Sequence, residues 1–523
     1  MVSFAIAAPH TAASEAGLEA FTRGGNAVDA ALAACAVLTV VYPHMCTIGG
    51  DLFALVHAPD GAVRAYNGSG AAPAGLRADV LRRSHRTMPL RGPDTVTVPG
   101  ILSGWSTLAS HGRLRLGSLM ESAIRHAEEG CLVSSSLARA LRRDVDVVAG
   151  DPGLRSLFYS SGSPLGEGDS FRQPALAKTL RRIAGGGVDE FYKGIVGEDY
   201  LRGLTEAGSA MSRSDLASHE TLALAPLVGH YRGWEIATSP PNSQGYCLLL
   251  ILAILDRLSL RLDALGPQAG RIAEVFRRVS ADRDDNLCDA NSLRFSLADL
   301  VSKERVIELA EQVNTALGPR LDSPSTSAFG GGAKGDTVAV VAADGDGWGV
   351  SIIQSTFDSF GSGFLEQRTG ILSHNRGACF TLDATSPNVL EGGKRPLHTL
   401  MPVLVKRDGR LAVVAGTMGG RSQPQINAQL LGGIFNTQEG LGNILAGPRW
   451  VVGALNDSDP NDVVLAEPEA MEFCGASLRE SGMDVQILES YSDEVGHAQY
   501  IRIQEGSLEA ASDPRADGSA IVT

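Results

Sequence analysis

The chain has 523 residues, of which 44% are hydrophobic and 20% charged, and its formal net charge is -14. These proportions are ordinary for a globular protein with a sizeable core and exclude a disordered chain. The acidic balance argues against a nucleic-acid surface, because neutralising phosphates requires clustered lysines and arginines. A small-molecule substrate is therefore the expected partner.

Cysteine spacing and hydropathy set further limits. The seven cysteines show no CxxC pair and no metal-ligand spacing with histidine, which predicts reduced core thiols and no metal site. The longest uncharged apolar runs, 30–41 and 246–255, are shorter than the ~20 residues that cross a bilayer. The N-terminal segment lacks the basic and apolar regions of a secretory signal. We expect a cytoplasmic protein that does not contact the membrane.

Helical patterns dominate the first part of the chain. Apolar residues recur at helical spacing over 11–23, and Asn26 can cap a second, almost wholly apolar helix over 27–42. Alternation over 48–70 predicts two strands around a Pro-Asp-Gly turn. Further helical patterns cover 116–148, 244–258 and 268–289.

The pattern changes to strands from Thr337 onward. Hairpin turns are indicated at 344–347 and 407–409, and a helix is predicted over 425–435. The Asp-Gly repeat at 344–347 lacks the further ligands and the glutamate of an EF-hand loop, so we interpret it as a turn without a metal.

A run of small residues, 322–335, separates the two parts and ends beside Thr337. Such a run is usually a flexible surface linker. A threonine becomes a nucleophile when a base lies beside it, and its own backbone amine is free only if the residue begins a chain. A loose loop that ends at a strand-initial threonine is what a self-cleaving precursor requires. The residue pattern alone leaves both interpretations open.

Five separated segments resemble the γ-glutamyltransferase (γ-glutamyltranspeptidase) family of N-terminal-nucleophile hydrolases. The five segments occur in the family's order and extend over essentially the whole chain. Together they are therefore much more specific evidence for the family than any one segment alone. The segments are RGGNAVDAALAA (23–34), PHMCTIGGD (43–51), GDTVAVVAADG (335–345), GKRPLHTLMP (393–402) and AGTMGGRSQPQ (415–425).

The resemblance implies an α+β fold, a four-layer αββα sandwich, formed by a proenzyme that cuts itself between Asp336 and Thr337. The expected products are a large subunit, 1–336, and a small subunit, 337–523, which carries the nucleophile. The end of the large subunit, 322–336, would be a mobile processing linker. The two subunits interleave in one fold, and the resemblance implies no cofactor.

The same resemblance assigns the reacting groups. Thr337 is the implied nucleophile, and Ser355 falls where the family places a hydroxyl that hydrogen-bonds it. Gly419 and Gly420 match the paired glycines whose backbone N–H groups form the oxyanion hole, where a side chain would block the developing oxyanion. A strand-to-helix turn would also explain this glycine pair, and both interpretations can hold.

The substrate pocket departs from the glutamyl-specific pattern. Ser69 stands where those members have an arginine for the α-carboxylate, and Cys379 where they have an aspartate for the α-amino group. Phe357 replaces an asparagine. His398 and Thr399 occupy the places of two serines that contact the substrate carboxylate, although His398 could equally be a core histidine. An α-ammonium would have no charge partner here.

Arg376 enters this segment in place of a neutral or acidic residue. Its guanidinium offers a bidentate fork to a carboxylate, although a surface arginine in a loop is an equal alternative. These changes predict a small acidic acyl or amide substrate without the glutamyl amino group. They resemble the branch that contains oxamate amidohydrolase and acylases of short or dicarboxylic acyl groups.

Two other functions stay open at this stage. One is a C–C bond hydrolase that removes an oxalyl-type side chain in a natural-product pathway. The other is an uncleaved, non-catalytic binding relative, against which the retention of Thr337, Ser355 and the Gly419-Gly420 pair argues.

Overall fold

The computed structural model describes residues 3–316, 336–453 and 463–523, so the predicted linker lies outside the described residues except for Asp336. Within these ranges, runs of consecutive helices are separated by runs of strands. The α-helices are α1 (Thr11–Thr22), α2 (Ala27–Val41), α3 (Ala78–Leu81), α4 (Ile101–Ala109), α5 (Leu116–Leu119), α6 (Glu121–Glu129), α7 (Ser135–Arg143), α8 (Val145–Gly150), α9 (Pro152–Phe158), α10 (Pro174–Gly186), α11 (Asp189–Tyr192), α12 (Ile195–Glu206), α13 (Arg213–Ala217), α14 (Gly245–Arg257), α15 (Ala269–Asn286), α16 (Lys303–Ala316), α17 (Gln423–Asn436), α18 (Leu441–Ala446) and α19 (Pro468–Glu480).

The strands follow the same chain order and are mostly short. They are β1 (Phe4–Ala8), β2 (Asp51–His57), β3 (Val63–Asn67), β4 (Cys131–Leu132), β5 (Tyr159–Ser160), β6 (Ser163–Pro164), β7 (Ser170–Phe171), β8 (Leu222–Leu224), β9 (Leu227–Tyr231), β10 (Trp234–Thr238), β11 (Asp336–Asp344), β12 (Gly349–Phe357), β13 (Leu365–Glu366), β14 (Ile371–Leu372), β15 (Val403–Arg407), β16 (Arg410–Thr417), β17 (Trp450–Val452), β18 (Val463–Ala466), β19 (Asp484–Ile487), β20 (Ala498–Gln504), β21 (Ser507–Ser512) and β22 (Ser519–Val522).

Two large antiparallel sheets form the centre of the fold. The first has the order β22-β1-β11-β12-β2-β3-β8, and the second has the order β21-β20-β16-β15-β10-β9. Each sheet combines strands from before and after the predicted cleavage point. In the first sheet, β11 pairs with β1 on one side and with β12 on the other.

The apolar core is divided by these sheets into layers. Between the sheets, fully buried residues such as Leu55, Val341 and Val414 pack together. On the outer face of the first sheet, the apolar helix α2 packs against β11 and β12. On the outer face of the second sheet, α14 packs with α15, α17 and β9. The expected four-layer αββα sandwich is confirmed.

Most predicted elements are present with shifted ends, and the stretch predicted to be mainly helical over 116–148 contains several short helices. The helical pattern over 116–148 is interrupted and forms α5, α6, α7 and most of α8, with the short strand β4 between α6 and α7. Gly130 follows α6 with a φ of 104°, a left-handed conformation that favours glycine and ends a helix. The glycine therefore outweighs the apolar periodicity of the surrounding residues.

The core between the sheets predicts a measurable stability difference. Ile501 on β20 is fully buried there, whereas Val228 on β9 is 44% exposed. Ile501→Ala should lower the free energy of unfolding by about 2–5 kcal/mol, because it removes apolar contacts and leaves a cavity. Val228→Ala should change it by less than about 0.5 kcal/mol. Thermal or urea denaturation of both variants checks this, and equal effects would contradict the assigned core.

Candidate active site

Thr337 lies one residue into β11 and is 1% exposed. Its hydroxyl donates a hydrogen bond to Ser355 Oγ at 3.2 Å, across the pairing of β11 with β12. The register of this pairing is irregular between Asp336 and Val338, where two residues of β12, Ser355 and Thr356, lie opposite the single residue Thr337 of β11. Such bulges re-aim side chains, and this one lies where the two predicted reacting hydroxyls meet.

Ser355 Oγ connects the groups around the predicted cleavage point. It donates to the backbone oxygen of Asp336 at 2.5 Å and accepts from Phe357 N at 2.7 Å. Arg376 Nη2 also approaches it, at 3.4 Å. One hydroxyl therefore contacts both the Thr337 hydroxyl and the carbonyl of the peptide bond immediately before Thr337. The strand pairing places this serine opposite Asp51 of β2.

Arg376 is fully buried, so the alternative of a surface arginine is wrong. It begins a short 3-10 turn, and its Nη1 donates to Thr399 Oγ1 at 3.2 Å and to Cys379 Sγ at 3.7 Å. Its guanidinium carbon lies 4.4 Å from the centre of the Phe357 ring, a cation–π geometry. Phe357 has a φ of 79°, a conformation in which a bulky residue is strained.

Asp51 supplies the counter-charge that a buried arginine requires. Its Oδ2 lies 3.7 Å from Arg376 Nε, 3.0 Å from His398 Nε2 and 3.3 Å from His374 Nδ1. Burial alone would raise the pKa of the Asp51 carboxyl, but the two histidines hold it below its ordinary value. Burial lowers the pKa of His398 to about 3, with Arg376 adding to the effect, so this imidazole is neutral.

Ser69 lies close to Asp51, but its side chain is uncharged. Its hydroxyl donates to Asn67 Oδ1 at 2.6 Å and accepts from Asn242 Nδ2 at 3.1 Å. The following amide, Gly70 N, donates to Asp51 Oδ1 at 3.2 Å. The loop that would hold an arginine in glutamyl-specific members is thus tied to Asp51 by its backbone.

The glycine pair lies at the turn between β16 and α17. Gly419 and Gly420 have φ values of 140° and 50°, and a Cβ at Gly419 would lie 2.3 Å from Ile426 Cδ1. Gln244 Nε2 donates to the backbone oxygens of Gly420, at 2.8 Å, and of Thr399, at 2.7 Å. Gln244 therefore links the glycine turn to the pocket that contains Arg376.

Sequence reasoning missed Asp51, His374 and Gln244. Asp51 ends one of the segments that carried the resemblance, but nothing in a linear pattern shows that its carboxylate faces Arg376. Among the residues that the structure describes, no group of three His, Cys, Asp or Glu side chains could hold a metal ion. No helix in these same ranges is both long and apolar enough to cross a membrane.

Comparisons with known proteins agree with this arrangement. A sequence profile described as Gamma-glutamyltranspeptidase matches residues 13–523. An oxamate amidohydrolase proenzyme from Klebsiella pneumoniae is 36% identical over 98% of this chain and 97% of its own length. A glutathione hydrolase-like YwrD proenzyme from Bacillus subtilis is 34% identical over 99% of this chain and 98% of its own.

A solved structure supports the same conclusion. The crystal structure of cephalosporin acylase from Bacillus halodurans superposes with a TM-score of 0.89 at 29% identity, covering 99% of this chain and 96% of that one. These relatives are enzymes, which leaves a non-catalytic binding protein without support. The predicted resemblance is confirmed: the chain belongs to the γ-glutamyltranspeptidase family and is an enzyme that hydrolyses amide or acyl bonds after processing of a precursor.

Proposed function

We propose that Thr337 becomes the N-terminal nucleophile when the precursor cuts itself between Asp336 and Thr337, giving subunits 1–336 and 337–523. The observation that carries this proposal is the position of Ser355 Oγ, which contacts both the Thr337 hydroxyl and the Asp336 carbonyl oxygen. A donor on that oxygen stabilises the negative charge that develops when the carbonyl carbon is attacked.

The self-cleavage follows from this geometry. The Thr337 hydroxyl oxygen adds to the Asp336 carbonyl carbon, the C–N bond breaks, and the proton passes to the released amine of Thr337. Water then hydrolyses the resulting ester, which leaves a carboxyl group on Asp336 and restores the Thr337 hydroxyl. In the mature enzyme the free amine acts as the base, and the backbone N–H groups of Gly419 and Gly420 receive the substrate oxyanion.

The substrate is a small acid whose carboxylate binds Arg376. The two Nη atoms of Arg376 face neutral hydroxyl and thiol groups, and an ionised ligand would form stronger, charge-assisted hydrogen bonds with them. Thr399 and the neutral imidazole of His398 complete the polar wall, and the Phe357 ring covers the guanidinium. Amide hydrolysis is supported by the likeness to an oxamate amidohydrolase proenzyme.

A small acid without an amino group fits this pocket better than a γ-glutamyl group. Ser69 and Cys379 carry no charge, so nothing at these two positions would pair with the glutamyl α-carboxylate or α-ammonium. Asp51 is already surrounded by Arg376, His374 and His398. We therefore expect weak activity at most on γ-glutamyl anilides.

The nucleophile is tested by Thr337→Ala. The purified wild-type protein should run as two bands on a denaturing gel, with the smaller fragment beginning at Thr337, whereas the variant should stay one band because no hydroxyl can attack the peptide bond. Ser355→Ala should cleave about tenfold to a thousandfold more slowly, since one donor to the oxyanion is lost. Cleavage of the Thr337→Ala protein at the same bond would contradict the mechanism.

The carboxylate anchor is tested by Arg376→Leu with Arg410→Leu as a matched control on the exposed part of β16. Arg376→Leu should raise KM for oxamate about tenfold to a hundredfold, the range of one lost charged hydrogen bond. It should still self-cleave, because processing acts on the chain's own peptide bond. Arg410→Leu should match the wild type. Ammonia release gives the rates, and an unchanged KM in the Arg376 variant would remove Arg376 from the pocket.

The environment of Asp336 predicts a pH effect on the uncleaved protein. Burial raises the pKa of Asp336 to about 8, against the opposing charge of Arg143 and with Asp358 adding to the rise. The folded precursor then binds this proton more tightly than the unfolded chain, whose Asp pKa is about 4. Stability is therefore lost as the pH rises from about 4 to about 8.

Comparing the variant Thr337→Ala with the double variant Thr337→Ala/Asp336→Asn isolates this effect. The two proteins differ only at residue 336, so the titration of all other groups cancels. The double variant lacks the carboxyl, so its melting temperature should exceed that of the single variant at pH 8 by at least about 2 °C, and the difference should shrink at pH 5. Differential scanning calorimetry measures both. A difference that is independent of pH would mean that Asp336 is ionised throughout this range.

A further inference from the structure

The side chain of Asp336 occupies a defined position in the uncleaved protein. Asp336 is 4% exposed, and its Oδ2 accepts a hydrogen bond from Arg143 Nη2 at 3.3 Å. Arg143 is the last residue of α7 and also pairs with Asp144 at 2.9 Å. The residue that donates the acyl group in the proposed self-cleavage is therefore held through its own carboxyl by an arginine.

Self-cleavage and substrate turnover pass through the same kind of bond. In both, Thr337 Oγ forms an ester with an acyl carbon, an amine leaves with the proton, and water then hydrolyses the ester. In the precursor that acyl group is the aspartyl residue 336. Its carboxyl is separated from the reacting carbonyl by two carbon atoms, as in a succinyl group. If a substrate acyl group takes the place of residue 336 beside Thr337, a four-carbon dicarboxylic acyl group would extend along the path of the Asp336 side chain.

From this we infer that Arg143 binds the distal carboxylate of a succinyl-type acyl group in the mature enzyme, in the place that the Asp336 side chain occupies before cleavage. The inference rests on the proposed function and extends it to a substrate class, the monoamides of four-carbon dicarboxylic acids. The reaction needs only water: the amide C–N bond breaks, the amine takes the proton, and the acyl ester is hydrolysed to succinate.

Arg143 and Arg376 serve different acyl lengths. Arg376 Nη2 lies 3.4 Å from Ser355 Oγ, the group that contacts the Thr337 hydroxyl, so it suits a carboxylate attached directly to the reacting carbonyl. Arg143 approaches the end of the Asp336 side chain and suits a carboxylate two carbons further away. Two arginines thereby contact different neighbours of Thr337, Arg376 through Ser355 and Arg143 through Asp336.

The charges around Arg143 accommodate such a ligand. Asp358 is paired with Arg91 at 2.7 Å, and Asp144 is paired with Arg143, so two arginines face three carboxyl groups while Asp336 is in place. When Asp336 departs, the two remaining pairs are balanced. The Asp336 carboxyl, whose pKa is about 8, is protonated near neutral pH in the precursor. A substrate carboxylate would therefore add a negative charge beside Arg143, and water that enters with the departure of residue 336 lowers the cost of placing it there.

The wild-type mature enzyme gives the first test. Succinamate and butyramide have the same chain length, and only succinamate carries the distal carboxylate. We expect kcat/KM for succinamate to exceed that for butyramide by about tenfold or more, the effect of one charged hydrogen bond. Equal values would overturn the inference. Because self-cleavage and oxamate hydrolysis are measured on the same sample, that result would leave the proposed function standing, whereas their absence would reject the proposed function itself.

Variants of neighbouring arginines give the second test. Arg143→Leu should lower kcat/KM for succinamate about tenfold to a hundredfold, mainly through KM, and should change it less than about threefold for oxamate. Arg142→Leu, one residue earlier on α7, should match the wild type with both substrates, because both arginines are exposed but only Arg143 contacts Asp336. Rates are expressed per mole of cleaved small subunit. An equal loss on both substrates in Arg143→Leu would assign Arg143 a structural role and overturn the inference.

Discussion

The hydrogen bonds of the Ser355 hydroxyl organise the site. They join the Thr337 hydroxyl to the carbonyl of the preceding residue, and they bring Arg376 within reach of both. This serine can occupy that position because β12 bulges against β11 and because Asp51 lies directly across from it on β2. The proposed nucleophile Thr337, the Asp336 carbonyl, Ser355 and Asp51 therefore lie on three adjacent strands of one sheet, and a rigid pleated framework holds such groups more accurately than loops would.

Burying Arg376 imposes a second constraint, since an isolated buried charge is costly. Asp51 provides the counter-charge that Arg376 needs. The same carboxylate also contacts His374, His398 and the backbone of Gly70. Three chain segments that are distant from Asp51 in sequence, at Gly70, 374–376 and His398, thus converge on one carboxylate. This buried ion pair would let the proposed acid-binding pocket work without the charged residues of a glutamyl site, because its cation, Arg376, has Asp51 as a counter-ion.

The resemblance to a known family predicted the four-layer fold and assigned Thr337 and Ser355 their proposed roles, whereas local signals such as alternating strands and helix caps predicted the individual elements. The sequence predicted Arg376 as a substrate contact without showing that the residue is buried, since arginines are usually exposed and burial depends on partners far along the chain. Asp51 and Gln244 were missed for the same reason. The helical stretch over 116–148 was predicted from local patterns, and Gly130 ends α6 within it.

The position of β11 has a consequence for the proposed new chain terminus. Ends of polypeptides ordinarily fray, and an amine on a fraying end would spend little time beside its hydroxyl. Val338, the residue after Thr337, is already paired with Gln354, and the strand continues through the middle of a seven-stranded sheet. A cut at this point would create a terminus that is already ordered, because the conformational entropy of this segment was lost when the precursor folded. The new amine would already be oriented to act as a base when it forms. Maturation would then need only cleavage of the peptide bond and departure of residue 336 from the pocket.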